Sequence, residues 1–299
     1  LELEKEICAL WPREYPQTPE AALAQLQACF TDFSAQELEQ LRDLDQVEWA
    51  YVNGQVRYKN NFLSNLIKTQ PRFESRLRDP KRLRYKQENA AMLNEIVARM
   101  KREGHLSARI HMRSTMTIAQ GAKRADQMVT AHLPLPMEYA QVKRFHLLSC
   151  SHPDAIVAPG DFPQRTICFR AVPDRPFTVE YTYETHMQYA DPDPALVCDQ
   201  QPTFYTEEYA PHMTFTPYLR MLAREIVGDE KNPLRKARRI YDFITTKVTY
   251  CYMRAYMTMP NVSEYAAACM KGDCGVQALL FITLCRIAGV PARWQSGLE

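Results

Sequence analysis

The amino-acid sequence predicts an α+β protein with an N-terminal helical region, an antiparallel β-sandwich and then a second, mainly helical part. Apolar residues recur at helical spacing through residues 1–104, and they alternate with polar residues through residues 105–190. Capped helical patterns return over residues 215–299. Before them, residues 191–214 are rich in proline and predict an extended connector. These four ranges are the predicted domain organisation.

The helical prediction for residues 1–104 depends on capping and on apolar stripes. Ser34 and Glu37 form a capping-box pattern, which is typical of a helix that starts at that point. A long stripe stops at Gly104, a residue type that often ends helices, and it consists of Met92, Leu93, Ile96, Val97 and Met100. The basic run over residues 72–86 indicates a solvated helix face, with a phosphate-bearing or acidic partner as the alternative.

The sandwich prediction depends on period-two patterns. Apolar and polar residues alternate over residues 109–118, 167–171 and 177–184, and β-branched and aromatic residues are frequent there. Proline and aspartate separate these segments. Such alternation predicts strands that bury one face, and several of them in one stretch predict an antiparallel sandwich.

Composition and charge limit the function classes. Hydrophobic residues make up 46% and charged residues 24% of the chain, which is typical of a soluble globular protein. A net charge of +2 does not favour nucleic acid or an anionic membrane as the main partner, and no apolar run is long enough for a membrane span. Nine cysteines without CxxC spacing predict reduced thiols and a cytoplasmic location. Because no zinc-ligand spacing is present, we expect no metal and no other cofactor.

The segment with the clearest chemical pattern is KGDCGVQALLFITLCRIAGVPARWQSG, residues 271–297. Asp273 can cap a helix, and the residues that follow are apolar on nearly all sides, which predicts a buried helix. Gly289 and the next two residues, Val-Pro, end that helix, and residues 293–296 are predicted to form a strand. Cys274 therefore falls in the first turn of a buried central helix.

A cysteine in that position has the features of a nucleophile. Backbone N–H groups and the positive end of the helix dipole favour its thiolate over its thiol. Gly272 and Gly275 would let a substrate backbone approach, and the N–H of Cys274 is placed to donate to an oxyanion. The alternative is a buried inert cysteine, which is common in proteins. The other eight cysteines, including Cys269 and Cys285, are predicted to be structural.

The sequence GDCGVQALLFITLCRIAGVPAR resembles the nucleophile segment of the transglutaminase-like superfamily. Upstream, TPYLRMLAREIVGDEKNPLRKARRIYDFITTKVTY resembles the helical lead-in of bacterial members, and residues 106–190 resemble the β-sandwich that often precedes their core. The resemblance covers residues 106–299, whereas residues 1–104 resemble no family that we can name. It implies a papain-like fold in which residues 215–299 form the transglutaminase-like core and Cys274 is the nucleophile.

The resemblance also implies other residues around the nucleophile. The oxyanion donor of this family can be an aromatic side chain upstream of the cysteine, which here indicates Tyr250 and Tyr252, with core packing as the alternative. The family's histidine and aspartate follow the cysteine by a few tens of residues. Here 25 residues follow it without His or Asp, and all seven histidines precede it, between His105 and His212. We carry none of these histidines over as the base.

From this we expect the core to be truncated after the nucleophile helix and this chain to be nearly inert, because one histidine usually serves as both acid and base in such sites. We also expect exposed apolar surface near Leu279, Ile282 and Trp294, through which the chain would self-associate.

Three functional hypotheses remain. The preferred one is a cysteine peptidase or amidase, which attacks a peptide or protein substrate, forms a thioester and transfers the acyl group to water. The alternative is a binding or structural protein that keeps the fold without the chemistry. The third assigns residues 1–104 to a helical adaptor that brings the catalytic part to its target, and it is compatible with the first.

Overall fold

The computed structural model of the protein describes residues 2–122, 127–198 and 200–295. The α-helices in this part of the chain are α1 (Glu2–Glu14), α2 (Pro19–Cys29), α3 (Ala35–Asp43), α4 (Phe62–Thr69), α5 (Pro80–Glu103), α6 (Pro217–Val227), α7 (Pro233–Lys247), α8 (Val262–Cys269) and α9 (Cys274–Ile287). The strands are β1 (Trp49–Val52), β2 (Gln55–Tyr58), β3 (His105–Met116), β4 (Val129–Pro134), β5 (Val142–Cys150), β6 (Ile156–Val157), β7 (Thr166–Ala171), β8 (Phe177–Gln188), β9 (Thr249–Tyr250) and β10 (Lys271–Gly272). This mixture of helices and mostly antiparallel sheets confirms the predicted α+β class.

The chain divides into two compact units, one of residues 1–87 with 192–296 and one of residues 88–191. The first unit combines the N-terminal helices with helices α6 to α9. The second contains most of α5 and the strands from β3 to β8. Among the helices of the described residues, none has the length and apolar character needed to cross a lipid bilayer.

The N-terminal part of the first unit has an apolar core formed with α2, α3 and α4. Leu26, Phe30 and Phe62 are completely buried in it. The hydroxyl of Ser34 accepts a hydrogen bond from the backbone N–H of Glu37 at 3.2 Å, so α3 starts at the predicted cap. The start of α3 therefore follows the sequence pattern, whereas in α5 the predicted apolar stripe is not buried, because Met92, Leu93 and Val97 are exposed.

A β-hairpin also belongs to this part, and the helical prediction for residues 1–104 did not include it. Strands β1 and β2 pair antiparallel, and Asn53 and Gly54 connect them with φ angles of 51° and 75°. A tight two-residue hairpin turn of this kind requires positive φ at both central residues, and Asn-Gly is its strongest sequence signal. The signal for the hairpin is thus in the sequence itself.

The second unit contains a β-sandwich, as predicted. Six of the described strands form two antiparallel sheets, in the orders β3-β8-β5 and β4-β7-β6. Their inner faces share one core, to which β4, β7 and β8 contribute Leu133, Phe169 and Tyr181. Along β3 the side chains alternate between exposed and half-buried positions, which matches the period-two pattern.

Helix α9 lies in the second core of the first unit. It contacts α6, α7 and α8, and Val276, Leu280 and Leu284 are completely buried. The side chains of Thr216 and Asn232 accept backbone N–H groups and cap the starts of α6 and α7, which matches the capped helical patterns of the sequence. The prediction of a buried central helix after residue 273 is therefore confirmed.

Two expectations for the last part of the chain were wrong. Leu279 and Ile282 are buried, because they belong to the core that α9 shares with the neighbouring helices. Trp294 is exposed, as expected, but residues 293–295 form no strand, and Ser296 lies outside the described residues. Self-association through this surface stays a prediction.

Candidate active site at the start of helix α9

Cys274 is the first residue of α9, and its side chain is exposed to solvent. Asp273 caps the helix, because its carboxylate accepts the N–H of Val276 at 3.0 Å and its carbonyl oxygen accepts the N–H of Gln277 at 2.9 Å. The thiol therefore stands at the positive end of the helix dipole, where solvent or a substrate can reach it. The structure thus places this residue where the sequence predicted it.

A short pair of parallel strands determines what lies beside the thiol. Strand β10 ends at Gly272, and its partner β9 places Tyr250 next to that glycine. The N–H of Cys251 donates to the carbonyl oxygen of Gly272 at 3.2 Å, and the N–H of Thr249 donates to that of Met270 at 2.8 Å. Because Gly272 precedes the nucleophile by two residues, this pairing brings Tyr250 to the start of α9.

The two tyrosines predicted from the sequence have different surroundings. Burial raises the pKa of the Tyr250 hydroxyl, the hydrogen bond and charge of Lys68 lower it, and negative charge on Cys274 raises it. The hydroxyl of Tyr250 and the thiol of Cys274 therefore interact electrostatically. Tyr252 is held by another contact, since its backbone N–H donates to Oδ1 of Asn65 at 2.9 Å, and its ring centre lies 6.2 Å from that of Tyr250.

A third tyrosine at the site was missed by the sequence analysis. The hydroxyl of Tyr256 donates a hydrogen bond to the carboxylate of Asp273, the capping residue of α9. Burial and this contact raise the pKa of Tyr256 well above its ordinary value, and charge on Cys274 acts in the same direction. Tyr256 and Asp273 lie 17 positions apart without a connecting motif, so only the tertiary structure shows that they meet.

Packing explains why the two residues that flank the nucleophile site, 272 and 275, are glycines. A Cβ atom on Gly272 would collide with the side chain of Val276, and one on Gly275 would collide with the hydroxyl of Tyr256. The space that each glycine leaves is therefore filled by the protein itself. Packing therefore explains why both positions are glycine, and substrate approach at these residues stays a prediction.

All nine cysteines are free thiols, and they differ in burial. Cys251 and Cys285 are buried, and burial raises the pKa of each thiol to about 12. Cys269, which was predicted to be structural, is exposed at the end of α8. Cys274 differs from the two buried thiols because it combines exposure with a helix N-terminus.

The positions of the histidines determine which of them could serve as a base. Six of the seven belong to the unit of residues 88–191. The carbonyl oxygen of His212 accepts a hydrogen bond from Oγ of Ser263 at 2.6 Å, and that hydroxyl also bonds to Thr283 at 2.8 Å. Thr283 follows Cys274 by nine residues, which is roughly 13 Å along a helix axis. His212 therefore lies beside the middle of α9 and not at its start.

One family model matches this part of the chain. Residues 220–299, which include Cys274, match the family model of the transglutaminase-like superfamily. A crystal structure of a protein from Cytophaga hutchinsonii, named there as a candidate cysteine protease, is similar at 18% identity with a TM-score of 0.41. That similarity covers 62% of this chain and 67% of the other. Among curated proteins, none matches this chain.

Proposed function

We propose that the protein is a cysteine peptidase or amidase with Cys274 as its nucleophile, and the match of residues 220–299 to the transglutaminase-like superfamily supports this proposal. The observation that carries the proposal is an exposed thiol at the N-terminus of α9, with Tyr250 and Tyr256 as neighbours. A thiol in that position can be reached by a substrate and can act as a nucleophile.

In the proposed reaction the sulfur of Cys274 forms a bond to the carbonyl carbon of a peptide or carboxamide, and the carbonyl oxygen becomes an oxyanion. The N–H of Cys274 and the hydroxyl of Tyr250 are the proposed donors to that oxyanion. When the C=O bond forms again, the C–N bond breaks, and the amine leaves with a proton from a general acid. Water then hydrolyses the thioester, which restores the thiol and releases the carboxylic acid.

The general acid and the nucleophile can be tested separately. According to the superfamily resemblance, the general acid is a histidine that follows the nucleophile in the sequence. His212 precedes the nucleophile and lies beside the middle of α9, so it is not placed at the thiol. An activated ester needs no such acid, because its leaving group departs as an anion. Reaction with such an ester therefore measures the part of the chemistry that Cys274 performs.

The experiment is acylation by p-nitrophenyl acetate, followed through release of p-nitrophenolate and through the intact mass of the protein. We expect a burst that is stoichiometric with protein and an acetyl group on Cys274 in peptide mapping. Cys274→Ala should abolish the burst, whereas Cys269→Ala, which removes another exposed thiol, should leave it unchanged. A burst of equal size in Cys274→Ala would contradict the proposal.

Turnover of a fluorogenic peptide and carboxamide library then tests the substrate class. Because no His or Asp follows Cys274 in these 299 residues, we expect acylation of the thiol with little or no amide turnover. Hydrolysis that disappears in Cys274→Ala and persists in Cys269→Ala would support the peptidase or amidase assignment and would refute the expectation that this chain is nearly inert.

A further inference from the structure

Helix α4 of the N-terminal part reaches the tyrosines beside Cys274. The ammonium nitrogen of Lys68 lies 3.5 Å from the hydroxyl oxygen of Tyr250 and 4.7 Å from the centre of its ring. It also lies 5.4 Å from the centre of the Tyr252 ring, so both rings contact one cation. One turn earlier on the same face of α4, Asn65 accepts the N–H of Tyr252 at 2.9 Å.

Asn65 fixes this arrangement. Only 2% of its surface is exposed, and its backbone carbonyl accepts a hydrogen bond from the hydroxyl of Thr69 at 2.9 Å. A buried amide requires its hydrogen-bond partners, so the backbone at Tyr252 is tied firmly to α4. Tyr250, two residues earlier, is therefore held by α4 through this contact and by β10 through the strand pairing.

In the contact between Lys68 and Tyr250, the donor and the acceptor of the hydrogen bond are fixed by chemistry. An ammonium group can only donate, so the hydroxyl oxygen of Tyr250 accepts, and its own proton remains available for a different acceptor. A nearby positive charge also makes a phenol a stronger donor, because it stabilises negative charge on the oxygen. Attack by Cys274, the neighbour of Tyr250, would create such an acceptor at this place.

We propose that Lys68 is a positioning residue that orients and polarises the Tyr250 hydroxyl as an oxyanion donor for acyl transfer at Cys274. The proposal rests on the proposed function and deepens it, because it makes the N-terminal helices part of the active site. In this step sulfur bonds to the acyl carbon and the carbonyl π electrons move to oxygen. Tyr250 donates a hydrogen bond to that oxygen and keeps its proton, and expulsion of the leaving group restores the carbonyl.

Two reactions of the same thiol distinguish this role from a structural one. Acylation by p-nitrophenyl acetate passes through an oxyanion, whereas alkylation by iodoacetamide displaces iodide at a saturated carbon and forms none. Lys68→Met removes the charge and keeps a long side chain, and Lys68→Arg keeps the charge. The matched control is Lys231→Met, at an exposed lysine in the segment between α6 and α7.

We expect Tyr250→Phe to slow acylation by about 100-fold and Lys68→Met by about 10-fold, because an oxyanion donor is lost in the first and misplaced in the second. Alkylation of Cys274 should stay within about twofold of the parent rate in both variants, because it needs no oxyanion donor. Lys68→Arg should restore most of the acylation rate, and Lys231→Met should match the parent. Lys68→Met combined with Tyr250→Phe should be no slower than Tyr250→Phe alone, because the lysine acts through the tyrosine.

The proposal would be overturned if the acylation rate of the double variant fell by the product of the two single losses. It would also be overturned if Lys68→Met slowed acylation and alkylation by the same factor. Thermal unfolding monitored by circular dichroism identifies any variant that does not fold, and Lys68→Gln then replaces Lys68→Met. Failure of the proposed function gives a different result, because Cys274→Ala would then be acylated as fast as the parent whatever residue stands at position 68.

Discussion

Replacement of Lys271 by methionine should destabilise the unit that carries Cys274 by about 3 kcal/mol. The ammonium nitrogen of Lys271 lies 2.7 Å from Oδ2 of Asp45 and 3.3 Å from Oε2 of Glu48. The side chain of Glu48 is 7% exposed and that of Asp45 is 53% exposed. The cost of the substitution therefore falls mainly on Glu48, which is the buried partner.

The magnitude follows from the charge that the variant leaves behind. The carboxylate of Glu48 keeps the hydrogen bond from the hydroxyl of Tyr15 at 3.0 Å but loses its cation. Removal of one partner from a buried ion pair typically costs about 3–5 kcal/mol, whereas an exposed pair contributes about 0–1 kcal/mol. The lower end applies here because the side chain of Lys271 is itself 14% exposed. Such a loss is a large part of the roughly 5–15 kcal/mol that stabilises a typical domain.

Tryptophan fluorescence during urea unfolding measures this unit alone, because it contains every tryptophan of the chain, namely Trp11, Trp49 and Trp294. Asp45→Asn is the matched control and should lower the unfolding free energy by less than about 1 kcal/mol. Lys271→Met combined with Glu48→Gln should recover about 1 kcal/mol or more relative to Lys271→Met, because no buried unpaired charge remains and the unpaired carboxylate of Asp45 is exposed. A loss in Lys271→Met no larger than that in Asp45→Asn would refute the reasoning.

The same contact sets a pH dependence. Burial lowers the pKa of Lys271, but the charge of Glu48 and the hydrogen bond to Asp45 outweigh burial and raise that pKa above its ordinary value. A raised pKa in the folded state adds stability that is fully present below the pKa of the unfolded chain and is lost as pH rises through the folded value. The difference in unfolding free energy between the parent and Lys271→Met should therefore be constant from about pH 7 to about pH 9 and shrink above about pH 10.5. A difference that grows with pH in that last range would contradict the assignment.

Three further predictions concern the start of α9. Iodoacetamide should alkylate Cys274 in the native protein and Cys285 only after unfolding, because the second thiol is buried with its pKa raised to about 12; equal labelling in mass-spectrometric mapping would contradict this. Asp273→Ala should lower the unfolding free energy by about 1–2 kcal/mol through loss of the helix cap, and Asp273→Asn, which can still cap, should lose clearly less in the same urea titration. Gly275→Ala should cost about 1–3 kcal/mol because its Cβ collides with Tyr256, and adding Tyr256→Phe should reduce that cost; an undiminished cost would exclude the collision as its cause.

The start of α9 was predictable because its signals are local. Asp273 is a preferred capping residue, the apolar run after it has no polar face, and Gly289 ends the helix with a φ of 75°. These signals lie within one short segment, so the sequence alone places Cys274 in the first turn of a buried helix. The alternation of residues in the sandwich is local in the same sense.

Most of the residues around the thiol could not be predicted from local signals. The exceptions are Tyr250 and Tyr252, which the family resemblance indicated. Lys68 and Tyr250 lie 182 positions apart, and Lys271 and Glu48 lie 223 positions apart. Such contacts form when apolar cores bring distant elements together. Lysine and tyrosine are common on protein surfaces, so their presence in the sequence does not indicate which of them will meet. The hairpin is a different case, because its Asn-Gly signal is local and the helical pattern around it was given more weight.

The first 87 residues hold the surroundings of the nucleophile at two separate points. Asn65 binds the backbone at Tyr252, in the segment after β9, and Glu48 binds the ammonium of Lys271, in the strand that leads into α9. Without residues 1–87, this N–H and this cation would both lose these partners. The N-terminal helices therefore support the site directly. The adaptor hypothesis for residues 1–104 stays a prediction, and any such partner would have to bind surfaces of this region other than those that face Tyr252 and Lys271.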